Sequence, residues 1–134
     1  MLVDSNEAAG LNSGMMMPQY TAASLVLENQ TLATPDSIHS LPTSAEQEDH
    51  NANAMTAARH AFEIMQNVRH ILSIELYTAI RAIDLRKREQ KVILGKETEI
   101  LYQRIRDLVP YRAGDALWGL EIAKVHELVE KHSL

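Results

Sequence analysis

Three observations predict an all-α fold for this 134-residue chain. Five glycines and four prolines leave long uninterrupted windows, and apolar residues recur within them at helical spacing. One window, Asn53 to Arg86, holds neither helix breaker. At 46% apolar the chain is too hydrophobic for disorder and long enough to bury the core of one domain. With one Phe and one Trp, that core is expected to be aliphatic and methionine-rich.

The first element is a loop over 1–14, small and acidic, ending in Gly10-Leu11-Asn12-Ser13-Gly14. A helix is predicted over 15–29. Met16, Tyr20, Ala23 and Leu27 form its apolar face, which Met17, Leu25 and Val26 widen. Pro18 suits the first turn, where a missing N–H is harmless, and Ser13 is the expected N-cap. Residues 30–52 make the next loop. Its first part, 30 to 45, carries Pro35 and Pro42 and is longer than compact domains normally use.

The long helix is predicted over 53–86. Its main apolar stripe carries Ala58, Ala61, Phe62, Met65, Val68, Leu72, Leu76, Ala79 and Ile83, close to the ~3.5-residue repeat of packed helices. Asn67, His70, Ser73, Tyr77, Arg81 and Asp84 form a more polar stripe. Ile71, Ile74 and Ile80 fall outside the main stripe. A helix apolar on more than one face is buried among several others, so this one is expected to pack in an oligomer or against a further domain. Glu75 falls on the apolar stripe, where a charge should be paired, and is read as an ion pair across subunits. Arg86-Lys87-Arg88 closes the helix with the charge its dipole favours. Two shorter helices occupy 96–134. The first spans about 96–108 with Ile100, Ile105 and Leu108 inward and stops before Pro110. The second follows Asp115 and carries Leu117, Leu120, Ile122, Val125, Leu128 and Val129.

A net charge of −5 argues against wholesale binding to nucleic acid or an anionic membrane. Cysteine is absent, which removes disulfides and thiolate chemistry. No apolar run approaches the ~18 residues of a membrane span, and Met1-Leu2-Val3-Asp4 does not read as the start of a signal peptide. A cytoplasmic protein is expected. His39, His60, His70, His126 and His132 show no zinc-ligand spacing, so no metal is expected.

One stretch concentrates hydrogen-bonding and proton-transfer capacity: Thr43-Ser44-Ala45-Glu46-Gln47-Glu48-Asp49-His50. By composition alone, Glu46 to Asp49 read as a solvated acidic run at the mouth of the long helix. Asp49 is expected to cap the following turn or to pair with an arginine such as Arg59.

Several blocks together resemble the C-terminal part of the histidine ammonia-lyase branch of the aromatic amino-acid lyases. They are Gly10-Leu11-Asn12-Ser13-Gly14-Met15-Met16 with Gln19-Tyr20-Thr21-Ala22-Ala23, and Leu41-Pro42-Thr43-Ser44-Ala45 running into Gln47-Glu48-Asp49-His50. Ala57-Ala58-Arg59, Asn67-Val68-Arg69, Ile74-Glu75-Leu76, Asp84-Leu85-Arg86 and Val109-Pro110-Tyr111 extend the likeness over nearly the whole chain. The resemblance implies long antiparallel helices in the central bundle of a tetramer, with active sites shared between subunits. It also implies elimination of ammonia from an amino acid such as histidine, using a methylidene-imidazolone made from Ala-Ser-Gly.

Carried over residue by residue, the resemblance makes Glu48 the catalytic, substrate-facing carboxylate. Met16 and Gln47 join Glu48 in substrate binding, and an apolar Met16 favours histidine over phenylalanine. Asn12, Gln19 and His50 stand in support behind them, with Gln47 and His50 orienting Glu48. The chain departs from the family in lacking Ala-Ser-Gly, and Asn51-Ala52-Asn53 replaces the usual Val-Ser-Met after His50. The expected activity is therefore one wall of an active site, inactive alone. Its expected partners are copies of itself or a separate N-terminal lyase-like chain. The alternatives are a truncated non-catalytic remnant and a helical interaction module.

Overall fold

The computed structural model describes residue 3 and residues 10–50 and 53–131. Asn51, Ala52 and His132, singled out by sequence, lie outside the described residues. Among the described residues four helices carry the fold: α1 (Met16–Leu32), α2 (Ala54–Glu89), α3 (Lys96–Leu108) and α4 (Trp118–Glu130). Between α1 and α2 lie a single 3-10 turn, Asp36–Ile38, and a small antiparallel hairpin of β1 (Pro42–Thr43) and β2 (Glu48–Asp49). The fold is all-α apart from that hairpin. Helices α1 and α2 end at Leu32 and Glu89, beyond the predicted 29 and 86. No breaker intervenes before Pro35, and the basic run at 86–88 extends the favourable C-terminal charge of α2.

Helix α2 lies antiparallel to α1. Near the end of α1, Glu28 and Asn29 accept hydrogen bonds from Asn67 Nδ2 at 3.0 and 2.9 Å. Near its start, Met17 and Leu25 share an apolar groove of about 730 Å³ with His70, Ile74, Trp118 and Ile122. The core gathers beside the C-terminal half of α2, where Met15, Tyr77, Ile80, Ile105, Val109, Trp118 and Val125 are buried together. The core is aliphatic as expected, through Ile80, Ile105, Val109 and Val125, but it is not methionine-rich. Met15 is the one buried methionine among the described residues, and two large rings, Tyr77 and Trp118, fill the space between α2 and α4.

The faces of the helices differ from those the apolar spacing suggested. On α2 the stretch Ser73, Tyr77, Arg81 and Asp84 of the more polar stripe turns inward, because each of these groups finds a partner, while His70 stays exposed. Ser73 donates to the Arg69 carbonyl at 2.6 Å, and Tyr77 donates to the Glu121 carboxylate. Buried Arg81 donates to the carbonyls of Arg112 and Gly114 at 2.9 and 3.1 Å. Asp84 accepts from Tyr102 at 2.5 Å and pairs with Arg106. Burial, followed by the Asp84 hydrogen bond, pushes the Tyr102 phenol up to about 12.

The first part of the main apolar stripe instead faces outward, with Phe62 56% and Leu72 48% exposed and Met65 and Val68 open beside them, while Leu76 and Ile83 further along pack against the core. Glu75 is exposed on the same surface. Helix α1 is apolar on all sides, so periodicity could not select its inner face. Pro18, Ala22, Leu25, Asn29 and Leu32 are the more buried positions, whereas Tyr20, Val26 and Leu27 point out. Ile105 is inward on α3 as expected, but Ile100 and Leu108 are exposed. On α4, Val125 is buried while Leu120 is exposed, as is Leu117 just before the helix.

One contact makes the packing pH-sensitive. The rings of His70 and His126 stack with centroids 3.8 Å apart. Ser73 spends its one hydroxyl proton on Arg69, so its oxygen accepts from His126 Nδ1 at 3.1 Å. Desolvation, and then the neighbouring His126, lower the His70 pKa below 6.5, with Glu130 opposing. A histidine held neutral in the fold adds stability above its unfolded pKa. That contribution is lost as pH falls from about 6.5 through the depressed folded value. The chain is therefore expected to melt at a lower temperature at pH 5 than at pH 7. His70→Gln should flatten this slope in a calorimetric pH series.

Candidate active site

The sequence-predicted residues fall into two groups. The first surrounds the start of α1. Ser13 is not the side-chain cap expected of it; the N-cap position is Met15, and no side chain of the segment itself caps the helix. Asp115, from the α3–α4 connection, instead holds the two residues just ahead of the N-cap. Its two carboxylate oxygens accept from the amides of Ser13 at 2.8 Å and Gly14 at 2.9 Å. Gly14 has φ +56°, a conformation that suits glycine. Met15 is then buried and Met16 is 38% exposed at the first helical position. Asn12 is half-buried behind the turn and Gln19 is exposed one turn along.

The second group is the hairpin, and it corrects the expectation that the acidic cluster sits at the mouth of a helix. Helix α2 begins only at Ala54, with Asn53 at the N-cap position and no acid in its first turn. Asp49 therefore does not cap it; Asp49 sits in β2 opposite Pro42. The Asn53 amide donates instead to the carbonyls of Asp36 and His39 at 2.9 and 2.8 Å, tying the loop to the start of α2.

Three consecutive non-glycine residues at the hairpin turn adopt left-handed backbone: Ser44, Ala45 and Glu46, with φ +53°, +57° and +69°. Such conformations cost L-residues roughly 1–2 kcal/mol each and cluster at functional positions. The turn is closed by Gln47 N–H donating to the Ser44 carbonyl and His50 N–H to the Leu41 carbonyl, at 3.3 and 2.9 Å.

Glu48 projects from β2 with its side chain exposed. Its carboxylate accepts from the Ser44 hydroxyl at 3.2 Å, and its carbonyl accepts from Thr43 Oγ1 at 3.3 Å. Ser44 and Thr43 thus hold Glu48 in the positions that sequence reasoning had given to Gln47 and His50. The signal was present in two hydroxyls placed just ahead of the carboxylate. Asp49 and His50 line a polar hollow of about 450 Å³ with Asp36, His39 and Asn53. Among the described residues, no three His, Asp or Glu side chains gather to hold a metal.

The two groups do not meet. The hairpin lies by the start of α2, beyond the C-terminal end of α1, while Met16 begins α1. A helix rising ~1.5 Å per residue puts about 25 Å between them. No single amino-acid molecule spans that distance.

A family model described as aromatic amino acid lyase matches residues 1–107. The chain belongs to that family. This lyase-family chain is 45% identical over 125 residues to histidine ammonia-lyase of Geobacillus thermodenitrificans, covering 93% of this chain and 24% of that protein. It is 41% identical over 128 residues to histidine ammonia-lyase 1 of Fusobacterium nucleatum, covering 96% and 24%. The crystal structure of histidine ammonia-lyase from Trypanosoma cruzi superposes with a TM-score of 0.86 at 35% identity, over 98% of this chain and 25% of that one. Tyrosine aminomutase from Streptomyces globisporus gives the same TM-score at 29% identity, over 99% and 24%. The lyase-family chain therefore spans about a quarter of the length of the relatives it matches. No helix among its described residues is long and apolar enough to cross a membrane.

Proposed function

We propose that this chain supplies part of an ammonia-lyase active site that removes ammonia from an L-amino acid such as histidine. Glu48 meets the substrate amine, where a carboxylate complements an ammonium and is placed to move a proton. Gln47 flanks it, and Met16 lines the pocket for the amino-acid side chain. The observation that carries this reading is the separation of the two half-sites within one chain. Residues about 25 Å apart on one rigid helix pair serve one small substrate only if different chains bring them together. The outward apolar stripe of α2 is the surface such an assembly needs, since apolar patches of this kind mark interaction sites.

In the family the electrophile is a methylidene-imidazolone made from Ala-Ser-Gly, a triplet absent from these 134 residues. The nearest substitute, Asn12-Ser13-Gly14, is folded as the approach to α1 with two of its amides held by Asp115. It does not fit that role, and no step through the electrophile belongs to this chain. The polypeptide that carries Ala-Ser-Gly is the partner the reading requires.

The test is co-expression with an N-terminal lyase-like chain containing Ala-Ser-Gly. The 134-residue chain alone is expected to release no ammonia from histidine, phenylalanine or tyrosine, and the pair is expected to do so. Activity from the isolated chain overturns the reading, as does failure of the two chains to associate. Association without ammonia release would favour a non-catalytic helical module.

A further inference from the structure

We infer that Asp115 is a positioning residue: from the α3–α4 connection it sets the Asn12–Met16 segment, and through it the side chain of Met16. The inference rests on the reading of Met16 as a pocket residue. Asp115 lies beyond the residues 1–107 that the family model matches. Its carboxylate divides its oxygens between two successive amides, Oδ2 to Ser13 and Oδ1 to Gly14, across 102 and 101 residues of sequence. Charge-assisted pairs of this kind are the stronger hydrogen bonds and fix orientation as well as distance.

The location decides what the contact does. The two amides immediately precede α1, whose first N–H groups have no side-chain cap of their own. The carboxylate therefore fixes the approach to the helix, one and two residues ahead of its N-cap Met15, rather than the helix's own first N–H groups. Holding Gly14 in its left-handed conformation directs Met15 into the core, and the next residue is Met16.

Asp115 is itself anchored through its neighbours. Gly114, at φ +73°, gives its carbonyl to Arg81, as does Arg112, and Arg81 is buried in the middle of the fold. A continuous run of contacts therefore links α2, the 112–115 connection and the start of α1. A side chain added at Gly114 would meet the Asn12 amide at 3.7 Å, so the two segments pack directly as well.

The experiment compares Asp115→Ala, Asp115→Asn and a control, Val125→Ala, which weakens α4 packing but leaves the Asp115 carboxylate and its two amide partners in place. In the 134-residue chain, Asp115→Ala should speed amide exchange at Ser13 and Gly14 by about tenfold and shift the Met16 methyl resonance. Asp115→Asn, which keeps one oxygen acceptor, should fall between it and the wild type. Val125→Ala should leave the Met16 methyl in place even where it lowers the melting temperature. In the active co-expressed assembly, Asp115→Ala should raise KM for the amino acid several-fold with little change in kcat.

Unchanged exchange and an unchanged Met16 methyl would overturn the inference. So would faster exchange with KM untouched in an active assembly, which would leave Asp115 as an anchor of the approach to α1 and nothing more. If the wild-type assembly proves inactive, the proposed function fails instead. The exchange and methyl measurements then decide alone whether Asp115 sets Met16.

Discussion

Arg81→Met is expected to lower the melting temperature by about 10 °C or more, a large effect for a residue outside both half-sites. The guanidinium is 1% exposed and donates to the carbonyls of Arg112 and Gly114. It also lies over the rings of Trp118 and Tyr111, at 4.8 and 5.3 Å from their centroids. Methionine preserves much of the apolar stem but leaves two carbonyls without these donors, at roughly 1–3 kcal/mol each, and removes the contacts of the cation with the rings. A loss of about 3 kcal/mol is a large share of the 5–15 kcal/mol that holds a typical domain. A circular-dichroism melt checks it. A fall of less than about 3 °C would mean the 112–115 connection is held by other contacts. The loosened connection should also release Asp115, so exchange at Ser13 and Gly14 should rise in the same variant.

Glu48→Gln is expected to reduce ammonia release by the assembled enzyme by about 100-fold or more, the scale set by losing a proton-transfer group. Glutamine keeps the size of the side chain and its ability to accept from Ser44, and removes the charge. Because Glu48 is exposed on β2, the melting temperature should barely move. Loss of activity at unchanged stability separates a chemical role from a structural one. Activity within about twofold of wild type would remove Glu48 from the site.

The all-helical class, the long breaker-free helix and the family were legible from spacing and motifs. The inner faces were not, and α2 shows why. Its heptad-like stripe through Phe62, Met65, Val68 and Leu72 is outward in this chain. The stripe through Ser73, Tyr77, Arg81 and Asp84 is inward because each member has a specific partner from elsewhere in the fold. Those partners, Glu121, the carbonyls at 112 and 114, and Tyr102, lie 18 to 44 residues away in sequence. Periodicity records apolarity, not which polar group will be satisfied. It therefore assigned the core to the surface this chain leaves open.

The candidate site divides in the same way. Glu48 was singled out by its motif, but the hairpin that carries it was hidden. Three left-handed residues without glycine, Ser44 to Glu46, give no turn signature, and the acids around them mimic a helix start. In the sequence Asp115 is only the residue that the last helix follows, since a partner for the Ser13 amide supplied from 102 residues away leaves no local pattern.

The central claim is that one chain carries two half-sites serving different active sites. Complementation tests it most directly. Glu48→Gln and Met16→Arg copies, each co-expressed alone with the N-terminal lyase-like chain, should both be inactive. Co-expressed together in equal amounts, they should recover about a quarter of wild-type ammonia release, because random pairing in a symmetric assembly joins two intact halves at one site in four. No recovery, with the mixed assembly shown to form, would place both residues at the same site and contradict the account.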